Sequence, residues 1–142
     1  MKVQFKDSIN LPAAQVFDAI VDHVNMSKYF ISSADSSIVE GKKIMWEWAE
    51  YDARHEIHVL KVEKNKLIRF EWDPTGKPTI TEISLNENPD KKTVVSITEG
   101  EWSNDEPGGK KAMQQTQGWT DFFDCLKAYL LFNVNLRTGE RL

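Results

Sequence analysis

Gly118-Trp119-Thr120-Asp121-Phe122-Phe123-Asp124-Cys125-Leu126-Lys127-Ala128-Tyr129-Leu130 is the stretch that governs how the rest of the chain is read. At about 3.6 residues per turn, Trp119, Phe123, Leu126 and Leu130 form one apolar stripe, and Phe122, Cys125, Tyr129 and Phe132 form a second beside it. Thr120, Asp121, Asp124 and Lys127 occupy the opposite side. A helix apolar over about half its circumference needs a broad partner surface, which a curved sheet supplies better than one neighbouring helix. Followed backwards, the buried face meets Ala112, Gln115, Thr116 and Gly118, all small or polar. Bulk at one end and small or amide side chains at the other predict tight packing C-terminally and room for a ligand N-terminally.

The segments before this helix read mostly as strands. Residues 2–10 alternate, with Val3 and Phe5 on one face. Pro12 opens a helix at a position where its missing N–H costs nothing, and Val16, Phe17 and Ile20 form that helix's buried side until Asp22-His23 ends it. A short helical or turn segment around residues 25–29 follows. Ile44, Trp46 and Trp48 then share one face of a strand entered from the turn Gly41-Lys42-Lys43. Residues 53–63 form a long strand, and Ile68, Phe70 and Trp72 repeat the alternation beyond the Asn65-Lys66 turn. Two further strands, residues 79–85 and 93–102, flank the turn at residues 86–90. Glu106-Pro107-Gly108-Gly109 reads as the last breaker, so the long helix is expected to start near Lys110 or Lys111. This order predicts an α+β fold, with helices on one side of a meandering antiparallel sheet and residues 1–142 forming one domain.

Composition narrows the function. A chain of 142 residues that is 40% hydrophobic and holds five tryptophans buries a real core rather than remaining disordered. The net charge of −4 is mixed along the chain, and Lys42-Lys43, Lys91-Lys92 and Lys110-Lys111 fall at turns or a helix start, so no nucleic acid is expected as a partner. No run is long enough to span a bilayer and residues 1–6 hold no apolar targeting core, which predicts a cytoplasmic protein without membrane insertion. Cys125, the sole cysteine, lies on an apolar stripe and reads as a buried structural thiol.

No phosphate loop, dinucleotide fingerprint or nucleophile elbow is present, and no cofactor is expected. No metal is expected either, because His55 and His58 are three apart on a strand and point to opposite faces. His55, Arg69, Glu71 and Glu99 are the candidates for acid or base chemistry. Arg69 and Glu71 alternate with Phe70 and Trp72, which turns them towards water. His55 is the first choice, since an imidazole exchanges protons near neutral pH after a small environmental shift.

The order of elements and several motifs together resemble the activator of heat-shock protein 90 ATPase homologue family, within the SRPBCC (START-like) superfamily. The resemblance rests on Pro12 with Val16-Phe17-Asp18-Ala19-Ile20, on Lys28-Tyr29-Phe30 where the family usually has a Trp-Phe pair, and on Gly41 and Leu67-Ile68-Arg69-Phe70-Glu71-Trp72. Its most distinctive part is Gly118-Trp119-Thr120-Asp121-Phe122 through Leu126-Lys127-Ala128-Tyr129-Leu130. It implies a helix-grip fold, in which a curved antiparallel sheet wraps the C-terminal helix around a deep, mostly apolar cavity. Superfamily members include lipid carriers, hormone receptors, polyketide cyclases and co-chaperone domains. The eukaryotic co-chaperone carries an additional N-terminal domain with no counterpart in this sequence.

In such a fold, Trp46, Trp48, Phe70, Trp72, Trp119 and Phe123 form either an aromatic core or a wall for a small hydrophobic or aromatic ligand, with His55 and Gln115 as its polar members. The expectation is ligand binding. A cyclase or hydrolase acting on such a ligand, and a co-chaperone-like module with a chaperone partner, are the alternatives.

Overall fold

The computed structural model describes residues 1–142. Its strands are β1 (Val3–Ile9), β2 (Ser33–Ala34), β3 (Lys43–Trp48), β4 (Ala53–Glu63), β5 (Leu67–Trp72), β6 (Thr79–Glu87), β7 (Thr93–Gly100), β8 (Val134–Asn135) and β9 (Glu140–Arg141). Its helices are α1 (Ala13–Val21), α2 (His23–Met26) and α3 (Glu106–Phe132), with a 3-10 turn at Ala49–Tyr51. The first seven strands make one antiparallel sheet in the order β1-β7-β6-β5-β4-β3-β2, while β8 and β9 form a separate hairpin. Ring contacts from Phe5 of β1 to Phe123 (5.3 Å) and from Trp72 of β5 to Trp119 (5.9 Å) show α3 crossing the inner face of this sheet. This is the expected α+β helix-grip arrangement. A register shift between Val59 and Lys61 interrupts β4, as a bulge that bends a strand does.

Alternation along each strand builds the inner face. Ile44, Trp46 and Trp48 on β3, Ile57 and Val59 on β4, and Ile68, Phe70 and Trp72 on β5 are all buried. On β6 and β7 the inner face changes character along its length. Ile83, Leu85, Val95 and Ile97 occupy one end, whereas Thr79, Thr81 and Glu99 occupy the other, and all seven are buried. The polar end is also where β3 and β5 finish in tryptophan, so aromatic and polar side chains meet beneath the N-terminal half of α3.

Several local expectations are corrected. Glu106-Pro107-Gly108-Gly109 is the first turn of α3 and not a breaker, because Asp105 caps the helix by accepting from the Gly108 N–H (2.9 Å) and Pro is tolerated in a first turn. The Ser103 hydroxyl and this N–H bond hold the Asp105 carboxyl below its ordinary value. Pro12 is the N-cap of α1 and not its first helical residue, and His23 opens α2 instead of ending α1. The second stripe of α3 ends before Phe132, which is 72% exposed. Thr116 and Gly118 are exposed and so do not belong to the buried face of α3.

Leu126 is fully buried. Leu126→Ala is expected to lower stability by about 2–5 kcal/mol in urea denaturation, through lost transfer energy and the cavity left behind. Two neighbouring glycines should separate sharply in the same measurement. A Cβ on Gly108 would stand 1.9 Å from the Ser103 carbonyl oxygen, whereas one on Gly109 meets only the tip of Met1 at 4.0 Å. Gly108→Ala is therefore expected to destabilise by more than about 1 kcal/mol and Gly109→Ala to be neutral or stabilising.

Candidate functional site

A cleft of about 700 Å³ opens where the polar end of the sheet faces the middle of α3. Its floor is a closed circuit of five rings. Phe30 meets Trp48 (5.4 Å between centroids), Trp48 meets His55 (5.8 Å), His55 meets Trp72 (5.9 Å), Trp72 meets Trp119 (5.9 Å), and Trp119 returns to Phe30 (6.5 Å). Each ring comes from a different element or loop, and all five line the cleft. Phe30 and Trp119 are stacked and the other four contacts are edge-on or tilted, directing ring edges at neighbouring faces, which adds to the stabilisation from burial.

Behind the floor lies the carboxylate of Glu99, fully buried on β7. One of its oxygens accepts from Trp119 Nε1 (2.8 Å) and Gln115 Nε2 (2.9 Å), and the other accepts from the Thr79 hydroxyl (2.6 Å). Trp72 Nε1 donates to Thr81 Oγ1 at 3.0 Å, on the residue paired across the sheet with Glu99. These bonds hold the Trp119 and Trp72 indoles in place. With its amide N–H₂ committed to Glu99, Gln115 keeps a carbonyl oxygen that no protein donor satisfies and that is not sealed from solvent. Trp48 Nε1 and both ring nitrogens of His55 are likewise without protein partners and not sealed from solvent, and both residues line the cleft.

The rim is charged. Asp121 and Asp124 project from exposed positions on α3, and Arg137 reaches in from the β8–β9 hairpin. The Arg137 guanidinium pairs with Glu50, stands 4.0 Å from Asp121, and lies over the rings of Phe30 (6.0 Å) and Tyr51 (5.5 Å).

The site residues expected from the sequence divide into two groups. Trp48, His55, Trp72, Gln115 and Trp119 line the cleft. Trp46, Phe70 and Phe123 do not: Trp46 packs beneath the floor against Phe70 (5.4 Å) and Trp72 (6.0 Å), Phe123 packs on Phe5, and all three are essentially without exposure. Their rings fill the interior, so the deep apolar cavity is replaced by an open cleft at one end of the sheet. Arg69 is paired with Glu82 at 2.8 Å and Glu71 is exposed, both away from the cleft. His58 lies opposite Lys43 and Glu71 in the sheet register, on the face of β4 that His55 does not share. Phe30, Tyr51 and Arg137 were missed. Phe30 and Tyr51 sit in irregular segments with no periodicity to read, and Arg137 arrives through a hairpin only two residues deep on each side.

This geometry defines a helix-grip protein with a cleft between the sheet and its long helix. The chain belongs to the family of activator of Hsp90 ATPase homolog 1-like proteins, whose model matches residues 10–131. Among solved structures it is similar to protein SSP2350 from Staphylococcus saprophyticus, with 31% identity, 96% of each chain covered and a TM-score of 0.84. The fold is shared with DynU16, a protein of the dynemicin biosynthetic locus, at 19% identity and a TM-score of 0.83 over 93% of this chain and 48% of that one. It is shared too with the Aha1 dimer from Colwellia psychrerythraea, at 15% identity and a TM-score of 0.80 over 93% and 97% of the two chains. No curated protein matches the chain. No helix is long and apolar enough to cross a membrane.

Glu99→Leu is expected to unfold the protein at markedly lower denaturant, since three buried donors lose their acceptor at about 1–3 kcal/mol each. Glu99→Gln should cost much less, because the amide oxygen serves Trp119 and Gln115 while the Thr79 hydroxyl turns to accept from the new N–H₂. Cys125 gives a pH test. Burial, then the Asp121 charge, pushes its thiol from 9.0 to about 11. A folded-state value above the unfolded one contributes stability that is complete below pH 9 and lost as pH rises towards 11. Folded protein should therefore resist iodoacetamide at pH 8 and react once unfolded in urea.

Proposed function

We propose that the protein binds a small aromatic molecule in the cleft between the sheet and α3. The observation that carries this reading is the ring circuit of Phe30, Trp48, His55, Trp72 and Trp119, all lining one cleft with Gln115, where Trp48 Nε1 and the His55 ring nitrogens have no protein partner. A flat ligand can stack on the floor while accepting from Trp48 Nε1 and donating to the Gln115 carbonyl oxygen. Such a combination of apolar area with a few placed polar groups is the usual composition of a small-molecule site.

Catalysis is the less supported reading. His55 has free ring nitrogens but no carboxylate to orient it, and Glu99 is screened from the cleft by the indole and amide it holds. The family description is the only support for a chaperone partner.

Gly118 provides the test, because it lines the cleft and a Cβ there meets nothing within 4 Å. Titration with the neutral probe N-phenyl-1-naphthylamine is expected to quench tryptophan fluorescence and saturate. Gly118→Leu should weaken binding by about tenfold or more by occupying the cleft. Gly118→Ala should bind nearly as wild type while stabilising the helix by about 0.5–1 kcal/mol. Unchanged affinity in Gly118→Leu, with circular dichroism intact, would place the probe elsewhere and refute the reading.

A further inference from the structure

The rim of the cleft already holds a cation. Arg137 is a positive charge on a side chain only 11% exposed, over two aromatic faces and between two carboxylates. Aromatic faces attract cations through the negative potential above the ring, and the attraction strengthens as water is excluded. Glu50, Asp121 and Asp124 outnumber Arg137 at this rim, and no lysine lines the cleft. An anionic ligand would meet this excess unfavourably, whereas a cationic one would gain from it.

The backbone that carries Arg137 is short. It lies in the turn between β8 and β9, each two residues long, a hairpin too small to be stable alone. The hairpin is tied by the Gly139 N–H to the Asn135 carbonyl (2.7 Å) and the Leu142 N–H to the Asn133 carbonyl (2.8 Å), bonds internal to the C-terminal segment. Neither bond involves the Arg137 side chain, so its guanidinium can leave its seat while both remain.

We propose that the ligand carries a planar cation, of the amidinium or guanidinium type, on its aromatic body, and that this group takes the seat between the Phe30 and Tyr51 rings and the Glu50 and Asp121 carboxylates that Arg137 fills in the free protein. The proposal rests on the cleft being a small-molecule site and adds the charge of the ligand. Arg137 is then an internal competitor. Only the fraction of molecules with Arg137 withdrawn is competent, so its removal raises apparent affinity.

The test compares benzamidine with its neutral isostere benzamide on the full chain, read by tryptophan fluorescence, in wild type, Arg137→Gln and Arg137→Gln with Asp121→Asn. Arg137→Gln is expected to bind benzamidine about tenfold more tightly than wild type does, and more tightly than it binds benzamide. Adding Asp121→Asn should reduce that preference. In wild type, saturating benzamidine should move the Arg137 Nε–H resonance and benzamide should not, a readout that needs no variant to fold. Equal affinity for benzamidine and benzamide in Arg137→Gln, or an unmoved Arg137 resonance at saturation, overturns the proposal. If N-phenyl-1-naphthylamine still binds and Gly118→Leu still blocks it, that failure concerns ligand charge alone. Loss of both signals refutes the cleft as a site altogether.

Discussion

The buried carboxylate of Glu99 sets where α3 lies on the sheet. Most of the contact between them is hydrocarbon and aromatic, and such packing is non-directional, so a helix with a wide apolar face has several nearly equivalent seatings. Three hydrogen bonds to one fixed carboxylate are directional and remove that freedom. Two of the donors, Gln115 and Trp119, are one helical turn apart on α3, and the third, Thr79, is on the strand next to that of Glu99. The same contact orients the Trp119 ring and turns the Gln115 carbonyl outward. The placement of the helix and the shaping of the cleft floor thus have one cause.

With α3 seated in this way, the sheet interior is taken up by side chains. Trp46 and Phe70 fill the space that an enclosed cavity would need, and Phe122 and Phe123 fill it further along the helix. Beside α3, room remains at the end where β3 and β5 run out and the helix face becomes small. There the floor is aromatic, the walls carry glutamine amides, and the rim carries two aspartates and one arginine. A site of this kind distinguishes ligands by the hydrogen bonds and charge they offer around a flat apolar body, because shape alone is poorly enforced in a space open on one side.

The similarity to DynU16 and the Aha1 dimer extends over nearly the whole chain, yet at 19% and 15% identity it concerns backbone arrangement. Several residues around the cleft of this chain sit outside the sheet strands and the long helix. Tyr51 belongs to a 3-10 turn, Phe30 to the segment after α2, and Arg137 to the terminal hairpin. A fold defined by its sheet and long helix constrains these positions least, which is why the fold leaves the ligand open.

Periodicity carried most of the architecture. Period-two runs such as Ile68, Phe70 and Trp72 mark strands because alternate side chains must face one core, and the stripe Trp119, Phe123, Leu126 marks a helix that needs a broad partner. The breaker reading of Glu106-Pro107-Gly108-Gly109 failed for a local reason: proline and glycine signal a break only where no cap precedes them, and Asp105 is that cap. The cleft was half legible. Trp48, Trp72, Trp119, Gln115 and His55 were visible as aromatic or polar residues on inward faces, but so were Trp46, Phe70 and Phe123, and alternation is identical for a ring in the core and a ring at its edge. Separating them requires distances along the strand from the sheet's open end, which are properties of the assembled sheet. The roles of Glu99 and Arg137 required still more, because hydrogen-bond geometry and ion pairing arise from contacts between residues 16 to 87 positions apart, and no local pattern encodes those.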